Sequence, residues 1–425
     1  MWCKINKNKM FRGVMTREDI EKKLEEFSRL RRTPPFKKLD EACKECGLKK
    51  STNRRKTIWG KRNPHSENDH WENINLEEYG TDKPIVVCLS GNGTKKEAEA
   101  NGFCKRAERM LELLFENKNS DSIPEDYIDI ISCAYGCDIK YLIYPDSEEF
   151  REMYSNANEY AKDFPEAIQS ANGNNNLSDN EIQLFVESVL LSRCCDKEGK
   201  RLLIDECCRR ISQVTFFTYC YGAQALNKIM QTLDKNLLIK GFEREEIEKI
   251  KSAMSHISFA RKDYTRTIPS TFFYAVNDFD IGSITVLRNR MLNSHCELKT
   301  RICKTGEKTF GQELAAGRFG DIATAEALEF VYLGIEEKEN FVNHDVEHYV
   351  ANMDRDKDWD IINKKKPIYD AVSQMMSWAL CRAVENGLQN AKSDKYIPKM
   401  SIETLQEELM SIYKSFSKED LMINE

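Results

Sequence analysis

The 425 residues suffice for one large α/β domain with added helices, or for two ordinary domains. A net charge of −6 with 40% hydrophobic residues is the balance of a soluble globular protein. No uncharged apolar run approaches the roughly 18 residues that a membrane span needs. The start, Met1-Trp2-Cys3-Lys4, leads into lysines rather than an apolar leader, so a cytoplasmic protein is expected.

Cysteines stand in apparent strands and helices (Cys88, Cys133, Cys381) or as adjacent pairs (Cys194-Cys195, Cys207-Cys208). In a long chain without a leader this pattern fits reduced thiols rather than a disulfide framework. The charge is unevenly spread: residues 1–62 carry 20 basic against 8 acidic side chains, a balance of +12 that leaves −18 for the rest.

Residues 1–75 therefore read as a basic N-terminal extension. An amphipathic helix through Leu24, Phe27 and Leu30 ends before Pro34-Pro35, and Arg54-Arg55-Lys56 and Lys61-Arg62 read as exposed loop or arm. Solvation alone accounts for such an arm; an anionic membrane surface docking to residues 1–62 is the functional alternative. Nucleic acid is not expected, because no aromatic-rich motif accompanies the charge. Cys43-x2-Cys46 followed by His65-x4-His70 has the ligand types of a zinc site. The gap between the pairs is long and apolar residues are scarce around them, so no metal is expected.

Residues 76–353 read as the main domain. Pro84 to Ser90 is a continuous apolar run, as in a central parallel strand, and Gly91-Asn92-Gly93-Thr94 turns it into a helix from 95 to 115. A phosphate loop is the weaker reading of this turn, since the lysine-threonine signature is missing. Asp126 to Ala134 is the next strand. A helical insertion follows over about 146–212: a polar segment, then a capping box at Ser178 and Glu181 that opens a helix to Ser192, then a second helix over 202–212.

Val214 to Leu226 organises the rest. A β-branched and aromatic run (Val214, Phe216, Phe217) stops at Tyr219-Cys220-Tyr221-Gly222 and gives way to Ala223, Ala225, Leu226 and Ile229 at helical spacing. This predicts a strand, a sharp turn carrying a thiol, and a helix. Beyond it come a charged helix over 242–253 and strands at His256–Ala260 and Thr271–Val276. Asp278 and Asp280 then precede a helix over 283–292. His295 to Cys303 alternates like a final strand, and Ile322 to Tyr332 reads as a helix. His344 and His348 cluster downstream, with Asn343 as a helix cap between loop and helix. Their spacing lacks the glutamate order of a metalloprotease, and Asp354-x-Asp356-x-Asp358-x-Asp360 lacks the glycine and last carboxylate of a calcium loop. Residues 354–425 form a C-terminal helical segment with helices over 368–388 and 402–416.

The turn Thr218-Tyr219-Cys220-Tyr221-Gly222 resembles the nucleophile elbow G-x-S-x-G of the α/β-hydrolase superfamily, with cysteine in the serine position and threonine in place of the first glycine. The Gly91-Asn92-Gly93 loop resembles the H-G-N-G loop of esterases, with Ser90 replacing the histidine. The resemblance implies an α/β fold with a mostly parallel central sheet flanked by helices. It implies a Cys220-His344-Asp280 triad, with Asp278 and His348 as alternative partners, and an oxyanion site made by the N–H groups of Tyr221 and Asn92. Cysteine elbows occur in relatives of dienelactone hydrolase and of polyhydroxyalkanoate synthase, which hydrolyse or transfer acyl groups. An acyl-containing small molecule or lipid is the implied substrate, with a thioester intermediate and no cofactor. Tyr219 and Tyr221 suggest an aromatic pocket mouth. A non-catalytic binding protein on the same fold is the competing class, given three departures from the family pattern. The glutamate-, serine- and lysine-rich last twenty residues resemble the translocation signals of bacterial effectors, which would send the chain into a host cell.

Overall fold

A computed structural model of the chain describes residues 48–54, 57–62, 71–80, 83–91, 94, 96–116, 128–135, 137–143, 177–220, 222–260, 267–275, 298–307, 325–332 and 366–416. The architecture is α/β. The described strands are β1 (Leu48–Arg54), β2 (Ile58–Arg62), β3 (Trp71–Asn73), β4 (Ile85–Leu89), β5 (Asp129–Ala134), β6 (Cys137–Ile143), β7 (Val214–Tyr219), β8 (Ser255–Phe259), β9 (Ser270–Ala275), β10 (Leu298–Cys303) and β11 (Ala327–Tyr332). The helices are α1 (Glu97–Glu116), α2 (Asp179–Phe185), α3 (Ile204–Ile211), α4 (Gly222–Ile239), α5 (Arg244–Ala253), α6 (Lys366–Lys392) and α7 (Ile402–Ser415).

Nine of the described strands form one mixed sheet in the order β10-β11-β9-β8-β7-β4-β5-β2-β3. The six from β5 to β11 are mutually parallel, and β10, β2 and β3 add antiparallel neighbours at the two edges. Strands β1 and β6 pair separately as an antiparallel ribbon. The sheet thus takes in β2 and β3, both before residue 76. Lys61 and Arg62, expected in an exposed arm, stand within β2. Residues 1–47 lie outside the described residues.

The centre of the sheet follows from its side chains. Every residue of β4 and the first five of β7 are buried, because helices cover both faces and leave no wet side. Ile85, Val87, Leu89, Val214 and Phe216 pack under α2 to α5, while Val86, Cys88 and Phe217 pack under α1 and α6. The wide apolar face expected for α6 is core: Val372, Met375, Met376, Ala379 and Leu380 are buried against this second layer. The capping box at Ser178 is present, with Glu181 bonded back to the Ser178 N–H at 2.7 Å. No described helix is long and apolar enough to cross a membrane.

One expectation fails inside the sheet. Residues 327–332 form strand β11, not the end of a helix, and β11 rather than β10 closes the parallel set. Leu328, Phe330 and Tyr332 face the α1 and α6 layer, while Ala327, Glu329 and Val331 alternate to the other side. Glu329 is fully buried there and accepts from Arg301 on β10 at 3.2 Å, with the Cys303 thiol donating to it at 3.1 Å. A lone glutamate in an apolar run favours a helical reading until its cross-strand arginine is known.

Between α6 and α7, the half-buried Lys399 donates from its amine to the carbonyl of Met254 at the end of α5, at 2.7 Å. Burial pushes it down from 10.5 to about 7, against a weaker opposing pull from Glu326. Above that value the folded chain holds a neutral amine while the unfolded chain stays protonated, so stability rises with pH across the window from about 7 to 10.5; below it the penalty is complete. Lys399→Met is expected to raise the urea midpoint more at about pH 6 than at about pH 9.5. An equal change at both would show that the amine keeps its charge.

Candidate active site

The parallel strands all end at one edge of the sheet. The chain leaves β4 for α1 on one face and leaves β7 for α4 on the other, although β4 and β7 are neighbours. Between them the two loops diverge, which is where open α/β sheets hold ligands. Cys220 sits at this point, directly after β7.

The local backbone explains the residue choices. Cys220 has φ 53°, in the left-handed region that a residue with a side chain enters at a cost of about 1 kcal/mol or more. Its N–H still donates to the Phe259 carbonyl of β8 at 3.4 Å, so the β7–β8 ladder runs up to the residue that bends. Gly222 then opens α4 hard against β4: a Cβ there would lie 1.8 Å from the Leu89 carbonyl oxygen. Only glycine permits that approach. Gly91, from the opposite loop, lies over the same turn, since its Cβ would stand 2.9 Å from the Tyr219 ring and 3.1 Å from the Cys220 Cβ. The thiol is therefore hemmed in, and Cys220 is 4% exposed.

The loop after β4 is anchored from β5. The Tyr135 hydroxyl donates to the Ser90 carbonyl at 2.8 Å, the Tyr135 N–H donates to the Thr94 carbonyl at 2.9 Å, and the Ser90 hydroxyl donates to Thr94 Oγ1. Burial pushes the Tyr135 hydroxyl well above its ordinary range, and the Cys133 and Cys220 thiols add to the shift. Tyr135 belongs to no motif that would mark it for this role. The only local hint was an aromatic residue immediately after a predicted strand.

Tyr219, expected at a pocket mouth, belongs to an aromatic cluster under α1. Its ring stands 5.1 Å from Phe259 and 6.4 Å from Phe103, and Phe103 stacks on Phe217 at 5.2 Å. This is core packing. Of the expected triad and oxyanion residues, Cys220 alone falls among those described. Tyr221, Asn92, Asp278, Asp280, His344 and His348 lie outside them, as do Cys43, Cys46, His65, His70 and the acidic run of residues 354–360. Where side chains are described, the cysteines carry free, buried thiols. No family model matches the chain, and no curated protein matches it.

Proposed function

We propose that the chain is an α/β-hydrolase-like enzyme that hydrolyses or transfers an acyl group through a thioester on Cys220. The observation that carries this reading is the left-handed Cys220 between a helix-opening glycine and a second glycine loop, at the switch point of the sheet. Strain of this kind in a residue with a side chain clusters at functional sites.

In this reading the Cys220 thiolate attacks the acyl carbon, and the resulting oxyanion accepts from the N–H groups of Tyr221 and Asn92. Collapse expels the alcohol or thiol leaving group, protonated by His344, and leaves a thioester. His344 then takes a proton from water or an acceptor, which attacks the thioester and frees the thiol. Asp280 holds the imidazole tautomer, with Asp278 as its alternative.

Chain topology supports the assignment. Asp278 and Asp280 follow the end of β9 by three and five residues, and His344 follows the end of β11 by twelve. Both strands end on the Cys220 edge, two and three places away in the sheet. At about 4.8 Å per strand and up to about 3.5 Å per residue, these connections are long enough to reach the thiol.

The 4% exposure of Cys220 favours a second reading, a binding protein whose elbow is packed shut. Incubation with p-nitrophenyl acetate separates the two. An acyl adduct on Cys220, seen by peptide mass spectrometry and lost in Cys220→Ala, with slowed acylation in His344→Ala, is the enzymatic outcome. Acylation that persists in both variants would sink the site assignment.

A further inference from the structure

Directly beneath the elbow, on the side of α4 and α5, four polar side chains link three strands, and the proposed reaction uses none of them. The Thr218 hydroxyl donates to Ser258 Oγ at 2.8 Å, and its oxygen lies 2.7 Å from Nε2 of His256. Across the ring, Nδ1 lies 2.8 Å from Ser270 Oγ, whose hydroxyl donates to the Ile268 carbonyl at 2.8 Å. All four residues are buried, with His256 at 5% exposure and Thr218 and Ser258 at 0%. Phe272 meets the imidazole edge-on at 5.8 Å.

Filling this face of the sheet does not require polar groups, since Phe216 and Phe272 occupy neighbouring positions. Burying hydroxyls and an imidazole is tolerable only when each is bonded, so the group works as a unit or not at all. Its place in the fold shows what the unit does. Thr218 is two residues before Cys220, on β7; His256 and Ser258 are on β8; Ser270 is on β9. Just above, the main-chain bonds that tie the strand exits are long: 3.4 Å from the Cys220 N–H to Phe259, and 3.3 Å from the Ala260 N–H to Phe273. Bonds at that length hold position weakly. The side-chain bonds of 2.7 and 2.8 Å one level below are the stiffer tie.

We propose that His256 is a positioning residue for Cys220: by clamping Thr218 to β8 and β9 it fixes the height and direction of the thiol above the sheet. The inference rests on the nucleophile reading of Cys220. It also gives the threonine, which stands where the elbow pattern has glycine, a role of its own: the position supplies a hydroxyl to the clamp.

The test compares the full chain with His256→Phe, His256→Gln and Thr218→Val. Iodoacetamide alkylation of Cys220 is followed by site-resolved mass spectrometry and p-nitrophenyl acetate hydrolysis by steady-state kinetics, with the folded fraction checked by circular dichroism. Misplacing a reacting group without touching its chemistry lowers kcat about 10- to 100-fold. Such a loss, with KM little changed, is expected in His256→Phe and Thr218→Val, with Cys220 alkylation slowed in step. His256→Gln keeps a donor for one of the two hydroxyl oxygens that face the ring and should recover part of it. Should His256→Phe fail to fold, Thr218→Val, which keeps the shape and drops only the hydroxyl, decides. Variants that melt earlier but alkylate and turn over at the wild-type rate while folded would overturn the clamp and leave the nucleophile reading standing. Wild-type Cys220 that alkylates no faster than buried Cys88 would overturn both.

Discussion

Exchanging Cys220 for glycine is expected to end the acyl transfer we propose for it and yet give a more stable protein than exchanging it for alanine. Both variants lose the sulfur, and turnover should fall by about 10⁴-fold or more in each, as when a nucleophile is removed from an enzyme whose remaining groups act with it as a unit. Their stabilities should separate in the unusual direction. In a helix or strand, alanine outlasts glycine by roughly 0.5–1 kcal/mol, because glycine has more chain freedom to lose. At φ 53° the Cβ crowds the following carbonyl oxygen, and glycine should lead by about 1 kcal/mol. Urea midpoints at constant slope measure the difference. An alanine variant as stable as the glycine variant would show that the turn carries no strain.

The second large effect is at Gly222. An added methyl would meet the Leu89 carbonyl oxygen at 1.8 Å and the Leu89 carbonyl carbon at 2.6 Å. Those atoms are main chain of a central strand bonded on both sides, so they cannot move aside as a flexible side chain would. Gly222→Ala must instead push α4 off the sheet and carry the elbow with it. Overpacking usually costs about 1–3 kcal/mol, and a clash with strand backbone belongs at or above the upper end. Acylation of Cys220 should fall even in the fraction that stays folded. The fair control is Gly102, within α1, where an added Cβ meets nothing within 4 Å. There alanine should stabilise by up to about 1 kcal/mol through helix propensity. If Gly222→Ala behaves like Gly102→Ala, the close approach of helix and strand does not exist.

What could be read from the sequence and what could not divide along a physical line. Strands β4 and β7 were legible because burial on both faces leaves an unbroken apolar run, and the turn after β7 was legible because its glycine and its helical periodicity are local. Strand β11 was misread because Glu329 looked like the polar side of a helix. Its partners, Arg301 and Cys303, lie on another strand, and no local pattern announces them. The same holds at the site. The place of Cys220 at the turn is legible from its neighbours in sequence, whereas Tyr135 and His256 reach Ser90 and Thr218 across 45 and 38 residues of chain. Thr218 was the available clue: a polar residue where an elbow has glycine asks what its hydroxyl bonds to.

Ala260 leaves β8 with φ 47°, the same hand as Cys220 on the strand beside it, and its N–H reaches the next strand in the same way. The rim of this sheet therefore makes one bend twice, once around a methyl and once around a thiol. The bend belongs to the scaffold and would survive with alanine at both exits; what tells the two matching corners apart is the single sulfur atom set on one of them.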